Sequence, residues 1–195
     1  ILYLILYVVY IKGYFTIKLD INLKYEIHIL LSSDSEFSAE TVEIKVKGLE
    51  YMDNITEGWI PFDSLISKEG DHSEDNYIAY TFFVKNDGKD NVSYKSKIVI
   101  ESVIKNVDEA VRVALYTNGE KKVYAKKAKD GKAEPNTISF LSNHLIMQQD
   151  RNNIKPGEID RYTVIVWLEG KDPECIDDII GGEMKMSMII TEKTD

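Results

Sequence analysis

The chain has 195 residues, of which 44% are hydrophobic and 29% are charged, so a folded core is expected and a chain embedded throughout in a membrane is excluded. Acidic residues outnumber basic ones by 33 to 24, a formal net charge of -9, which argues against nucleic acid as a partner. A single cysteine excludes an internal disulfide and a cysteine-rich zinc site.

Residues 1–11 are all apolar or aromatic, and Lys12 and Gly13 end the run. A membrane-spanning helix needs about 20 such residues, so this segment is too short to be one. Its length fits the apolar part of an export signal, and its β-branched and aromatic residues also fit a buried strand. We therefore expect contact with a membrane only during export.

The next segment alternates apolar and polar residues, which only a β-strand sorts onto opposite faces. The apolar positions are Ile17, Leu19, Ile21, Leu23, Tyr25, Ile27 and Ile29. At about 3.3 Å per residue, one strand over these positions would reach roughly 43 Å, which is longer than usual. Its apolar face needs a cover, either from its own domain or from a neighbouring copy by strand addition. These seven residues are the predicted self-assembly strand.

Residues 32–40 are polar and acidic, as expected of a linker or processing region. The predicted organisation is therefore an N-terminal part, residues 1–40, and a folded domain, residues 41–195. The first part would contain the apolar segment and the long amphipathic strand, and would be a signal remnant or a donor strand.

From residue 41 onward, short strand patterns alternate with turn signals. Asn118-Gly119 is the clearest, because this pair favours the tight turn of a hairpin and lies between two β-prone runs, 111–117 and 121–128. Asn86-Asp87-Gly88 predicts a second hairpin between 77–85 and 91–104, with Gly88 supplying a positive φ.

Three further strands are predicted over 42–46, 162–169 and 183–191, and helical pieces over 106–110 and 172–180. Residues 142–151 fit a short helix or a loop. The predicted fold is an all-β, antiparallel, jelly-roll-like β-sandwich with a few short helices and an extended N-terminal strand.

Catalytic, cofactor-binding and metal-binding motifs are not recognised in the sequence. The three histidines lack metalloprotease spacing, and acidic neighbours of Cys175 would raise rather than lower its pKa as a thiol. Two acidic clusters leave calcium open as an alternative to no cofactor. They are Glu69, Asp71, Glu74 and Asp75, and Asp172, Glu174, Asp177 and Asp178.

A lysine-rich stretch, 121–129, has two interpretations. It is either a solvated hairpin whose charges prevent edge-to-edge pairing or a contact patch for an anionic wall polymer or a neighbouring subunit.

Two segments carry a resemblance to a known family. The strand-loop-strand from Tyr162 to Met188, and Tyr80 to Gly88 with its Asn-Asp-Gly turn, resemble TasA/camelysin-like secreted proteins of Gram-positive bacteria, over roughly residues 39–192. The resemblance implies export by a dedicated signal peptidase and a jelly-roll sandwich. TasA-like members build biofilm fibres in which an N-terminal strand completes the next subunit, and camelysin-like members have been described as surface metalloproteases.

The expected function is therefore that of an extracellular structural protein, a biofilm matrix or fibre subunit that self-associates by strand addition on the cell surface. Two alternatives stay open. One is a camelysin-like surface metallopeptidase with bound zinc, and the other is a monomeric module that binds a cell-wall or matrix component.

Overall fold

Two β-sheets face each other across a shared apolar core in this computed structural model, which describes residues 14–21, 27–49 and 51–193. The strands are β1 (Phe15–Leu19), β2 (Ile29–Ser32), β3 (Glu40–Thr41), β4 (Glu43–Val46), β5 (Gly70–Asp71), β6 (Ile78–Asn86), β7 (Val92–Ile104), β8 (Val111–Thr117), β9 (Glu120–Ala125), β10 (Ile138–Ser139), β11 (Leu145–Ile154), β12 (Ile159–Leu168) and β13 (Glu183–Glu192). One α-helical turn, α1 (Phe62–Leu65), and 3-10 turns at Glu57–Trp59, Val107–Glu109 and Asp177–Ile179 complete the described elements.

The first sheet has five strands in the order β11-β7-β13-β1-β4. The second has eight, in the order β10-β9-β8-β12-β6-β2-β3, with β5 also paired to β6. Most neighbours are antiparallel, but β1 runs parallel to β13 and β10 runs parallel to β9. The predicted all-β sandwich with short helices is confirmed, with two mixed sheets in place of purely antiparallel ones. Among the described residues, no helix has both the length and the apolar character needed to cross a membrane.

Strand β12 shows why several strands are apolar on both faces. Tyr162, Val164 and Val166 point into the core between the sheets, whereas Ile165 and Trp167 point to the opposite face. A second apolar cluster covers that opposite face, formed with the connection between β4 and β5, which contributes Leu65 and other buried residues. A strand buried on both faces reads as a nearly continuous apolar run, as this one does over residues 164–168.

The prediction of one continuous strand from Ile17 to Ile29 is wrong. Residues 15–19 form β1 in the five-stranded sheet, and residues 29–32 form β2 in the eight-stranded sheet. Ile17 and Ile29 both face the shared core, because the two sheets present their apolar faces to the same interior. The alternation therefore predicted the buried face correctly, and it could not show that the chain changes sheets.

The pairing of β1 and β2 also bears on the predicted division of the chain into residues 1–40 and 41–195. The described residues before it supply β1, β2 and the first residue of β3, and these strands pair with β13, β6 and β4 from the later part of the chain. Residues 14–21 and 27–40 thus contribute strands to the same two sheets as the later part of the described chain.

The hairpin predicted at Asn118-Gly119 is confirmed. Asn118 and Gly119 have φ values of 51° and 89° and join β8 to β9. The hairpin predicted at Asn86-Asp87-Gly88 is wrong, because β6 and β7 lie in different sheets. Gly88 does not have a positive φ either; it is constrained because an added Cβ would lie 3.0 Å from the Cβ of His28.

Three further segments differ from their predicted secondary structure. Residues 145–154 are strand β11, paired to β7, rather than a helix or loop. The helix expected over 172–180 is reduced to one 3-10 turn, and so is the one over 106–110. Asn106 precedes the latter with a φ of 52° and without a side-chain capping hydrogen bond. The strands at 162–169 and 183–191 are confirmed as β12 and β13.

Candidate functional site

Strand β1 occupies an interior position of the five-stranded sheet, between β13 and β4. Phe15 and Ile17 are fully buried in the core between the sheets. Ile17 has Met188 as its partner on β13 and Ile44 as its partner on β4. The apolar side of this strand is thus surrounded by apolar neighbours on both flanks.

Polar contacts also hold this strand in place. The Met186 amide donates to the carbonyl of Tyr14 over 3.0 Å, and the Asp20 amide donates to the carbonyl of Ile190 over 2.8 Å. On the outer face, Glu101 accepts a hydrogen bond from the Tyr14 hydroxyl and pairs with Lys18 at 3.8 Å. The register of β1 in the sheet is therefore specified by main-chain hydrogen bonds and by side chains on both faces of the strand.

The edge strand β4 depends on β1, which is its pairing partner in the sheet. Without β1, the edge of β13 and the facing edge of β4 would lose their main-chain partners, and Met186, Met188 and Ile44 would lose apolar cover. An open edge of this kind is a template for a strand from another chain.

The five described residues of the predicted self-assembly strand are not brought together on one strand. Ile17 and Ile29 are buried, in different sheets, and Leu19 and Ile27 are half-buried against the core. Ile21 is 40% exposed. Leu23 and Tyr25 lie outside the described residues. Phe15, which the predicted set did not include, is as deeply buried as Ile17 and belongs to the same strand.

An apolar cleft of about 480 Å³ opens beside the start of β1. Its walls include Phe15 and Met186 from one sheet, Val166 from the other, and Ile179 from the connection between β12 and β13. Tyr14, the residue immediately before β1, also lines it. The cleft thus continues the apolar environment at the start of β1.

The two acidic clusters differ in structure. Glu69, Asp71, Glu74 and Asp75 are all exposed, and Asp71 accepts hydrogen bonds from Ser73 in its own loop. In the second cluster, Asp172 and Glu174 are buried while Asp177 and Asp178 are exposed. The fold brings Glu134 and Arg112 to Asp172, and sequence reasoning missed both, because they lie far away in the chain.

The histidines lie in separate contexts. His28 Nδ1 lies 2.9 Å from a carboxylate oxygen of Glu192, and His72 Nδ1 lies 2.9 Å from the carbonyl oxygen of Gly70. Burial lowers the pKa of His72. Cys175 is half-buried at the apolar cleft, where its Sγ accepts a hydrogen bond from the Asn54 amide.

Three lysines of the 121–129 stretch have acidic partners. Lys121 pairs with Glu57 at 2.7 Å and Lys122 with Glu120 at 3.2 Å. Lys126 lies 2.8 Å from carboxylates of both Asp108 and Glu109. This pairing favours the interpretation of a locally neutralised hairpin over that of a broad cationic patch.

A buried polar network that the sequence did not reveal lies between the sheets. Asp160 accepts hydrogen bonds from the Tyr94 hydroxyl, from Nε and Nη2 of Arg151, and from the Asn118 amide, at 2.5–2.9 Å. Tyr162 joins through its hydroxyl, 2.8 Å from that of Tyr94. Each oxygen of this carboxylate has two donors, so the network is a satisfied structural element.

Comparison with models of protein families finds no match, and comparison with curated proteins finds none either. Among solved structures, the chain is similar to a β-glucosidase from Kluyveromyces marxianus in complex with glucose, at 12% identity and a TM-score of 0.30. That likeness covers 86% of this chain and 15% of the other, so this chain spans a small part of that protein's length. A likeness this weak does not identify a function.

Proposed function

We propose that this protein is a secreted structural protein of the cell surface, a matrix or fibre subunit that assembles by exchange of its N-terminal strand. The observation that carries the proposal is the place of β1. A strand near the beginning of the described chain fills a slot between β13 and β4 and buries Phe15 and Ile17 completely.

The same slot could be filled by β1 of another copy without any new type of contact. Exchange would need only that the connection to β2, which includes residues 20–28, leads to a neighbour instead of back to its own sheet. Identical contacts in the closed and exchanged forms make the exchange nearly neutral in energy per strand, as in domain swapping. Exchange that passes from head to tail then builds an open chain of subunits.

Extracellular localisation, and contact with matrix or cell-wall components, belong to this proposal and rest on the family resemblance of the sequence. Fractionation of cells that express the protein, with immunodetection in the medium and at the surface, tests this part separately.

Disulfide trapping on the full chain tests the exchange. Lys18 and Ile189 are register partners on β1 and β13, close enough as neighbouring strands for a disulfide. One chain would carry Lys18→Cys and a second Ile189→Cys, each with Cys175→Ser, and the two would be mixed under assembly conditions. A disulfide between the two chains within filaments seen by electron microscopy is the expected result.

A chain carrying both cysteines is the matched control, because it can also close the disulfide within one subunit. If the mixed chains remain monomeric, or form filaments without the cross-link, the strand-exchange proposal is wrong.

A further inference from the structure

Three carboxylates from two distant connections converge beside β8. Glu134 lies between β9 and β10, and Asp172 and Glu174 lie between β12 and β13. Each offers an oxygen within 4.8 Å of the others. Glu134 is 6% exposed, Asp172 4% and Glu174 8%, so the group is removed from solvent.

The charge of this group is not balanced. Arg112 on β8 has Nη2 3.3 Å from an oxygen of Glu134 and hydrogen-bonded to Asp172. Among the described residues, this guanidinium is the cation paired with the group, so three carboxylates face one positive charge. Buried charge without a counter-charge is costly, and an excess of two negative charges matches one divalent cation.

Glu174 gives an independent indication. Its Oε2 is buried and has no hydrogen-bond partner in the part of the chain that the structure describes, and its Oε1 accepts a long bond of 3.4 Å from the Lys129 amide. The nearby buried carboxylate of Glu169 differs, because it accepts bonds from the Trp167 indole and from two main-chain amides. Buried carboxylate oxygens are normally hydrogen-bonded unless they bind an ion.

We propose that Glu134, Asp172 and Glu174 bind a calcium ion. Calcium takes six to eight oxygen ligands from carboxylates, carbonyls and water, and the three carboxylates supply the charged part of such a set. The ion would fasten the two connections to each other beside β8, a stabilising role that does not depend on exchange of β1.

The test uses the full-length chain, treated with chelator and kept as the freshly purified monomer. Isothermal titration calorimetry with calcium chloride should give one ion per chain. Saturating calcium should raise the midpoint of thermal unfolding by roughly 5 °C, because the ion binds only the folded state. A parallel titration with magnesium chloride should show weaker binding, since magnesium dehydrates reluctantly.

Glu174→Gln should weaken calcium binding at least about tenfold and abolish the thermal shift. In chelator, this variant should unfold at the same temperature as the unaltered chain or higher, because it removes a buried negative charge that pairs with no cation among the described residues. Asp178→Asn is the matched control: it makes the same change of charge at an exposed position of the same connection and should keep the full response.

Glu134→Gln repeats the calcium-binding test at the other connection, and it replaces Glu174→Gln if that variant does not fold. Absence of calcium binding at millimolar concentration, tighter binding of magnesium, or equal calcium binding by the unaltered chain and a folded glutamine variant would each overturn the proposal. Calcium binding by a chain that never forms filaments would support this site and contradict only strand exchange.

Discussion

Buried charged side chains in this protein differ in how many hydrogen-bond donors the fold supplies to them. Asp160 and Glu174 are both buried carboxylates, but four hydrogen bonds reach Asp160 and one long bond reaches Glu174. The hydrogen-bonding capacity of the Asp160 carboxylate is filled within the protein, because donors from three other strands or turns converge on it. Glu174 is the residue on which the calcium proposal depends.

Asp160→Asn should destabilise the protein by about 3 kcal/mol at pH 7, because it leaves the half-buried Arg151 without its carboxylate. Burial alone would raise the pKa of Asp160, but hydrogen bonds from Arg151, Tyr94 and Asn118 outweigh burial and lower it. A lowered pKa in the folded state means that the stabilisation is fully present above the unfolded value of about 3.9 and is lost as the pH falls below it.

Urea unfolding of both proteins from pH 7 to pH 3 measures this effect. The difference in unfolding free energy should persist down to about pH 4 and then shrink. Asp150→Asn, which removes an exposed partner of Lys193, should cost less than about 1 kcal/mol. A difference for Asp160→Asn that does not change with pH would contradict this explanation.

Strands and turns show where local sequence is decisive. The β8–β9 turn forms as predicted because Asn118 and Gly119 favour positive φ on their own. Strand β1 forms where the apolar alternation begins, yet its partners β13 and β4 are set by contacts across the whole chain.

Gly119→Ala should cost about 1 kcal/mol of unfolding free energy, because a φ of 89° is unfavourable for a residue with a Cβ. The added methyl group would meet no atom within 4 Å, so the cost is that of the backbone alone. Gly58→Ala also places a methyl group in open space, but without a positive φ, and should be close to neutral. Equal effects of the two substitutions in thermal unfolding would refute the argument.

Ile17→Ala should destabilise the protein by about 3 kcal/mol, because it leaves a cavity between Met188 and Ile44 in the core. Lys18→Ala, one residue further on the opposite face, should change the unfolding free energy by about 0.5 kcal/mol or less. Denaturant unfolding compares them. Similar losses for both would mean that the core does not depend on β1 as described.

As a whole, the molecule keeps the beginning and the end of its described chain side by side, because β1 runs parallel to β13. Parallel neighbours cannot be joined by a tight turn, so the rest of the sandwich lies between them in sequence. A strand held only by non-local contacts is one that a second copy can supply, and this is the basis of the proposed assembly.

A chain that lacks residues 1–20 should therefore form no filaments and unfold at a lower temperature than the full chain. A synthetic peptide of residues 14–21 should restore the unfolding temperature, because it refills the slot between β13 and β4. The same peptide with Ile17→Asp should have no effect. Full stability of the shortened chain without peptide, or equal rescue by both peptides, would contradict the claim that β1 fills a specific slot between β13 and β4.

The sequence by itself determined the all-β class, the Asn118-Gly119 turn, and which face of β1 is buried. These properties follow from alternation and from backbone preferences, which act within a few residues. It could not determine that β6 and β7 separate into two sheets, because a turn signal does not say where the next strand finds its partner.

Only the tertiary structure decided the partners of β1 and the composition of the carboxylate group. Local alternation is satisfied equally well in either sheet or in a neighbouring copy, since all offer an apolar face. Glu134 and Asp172 are brought together with Arg112 by the packing of distant connections, which no local spacing encodes. The acidic residues near Cys175 form a visible cluster in the sequence. Only the fold separates the buried Asp172 and Glu174 from the exposed Asp177 and Asp178.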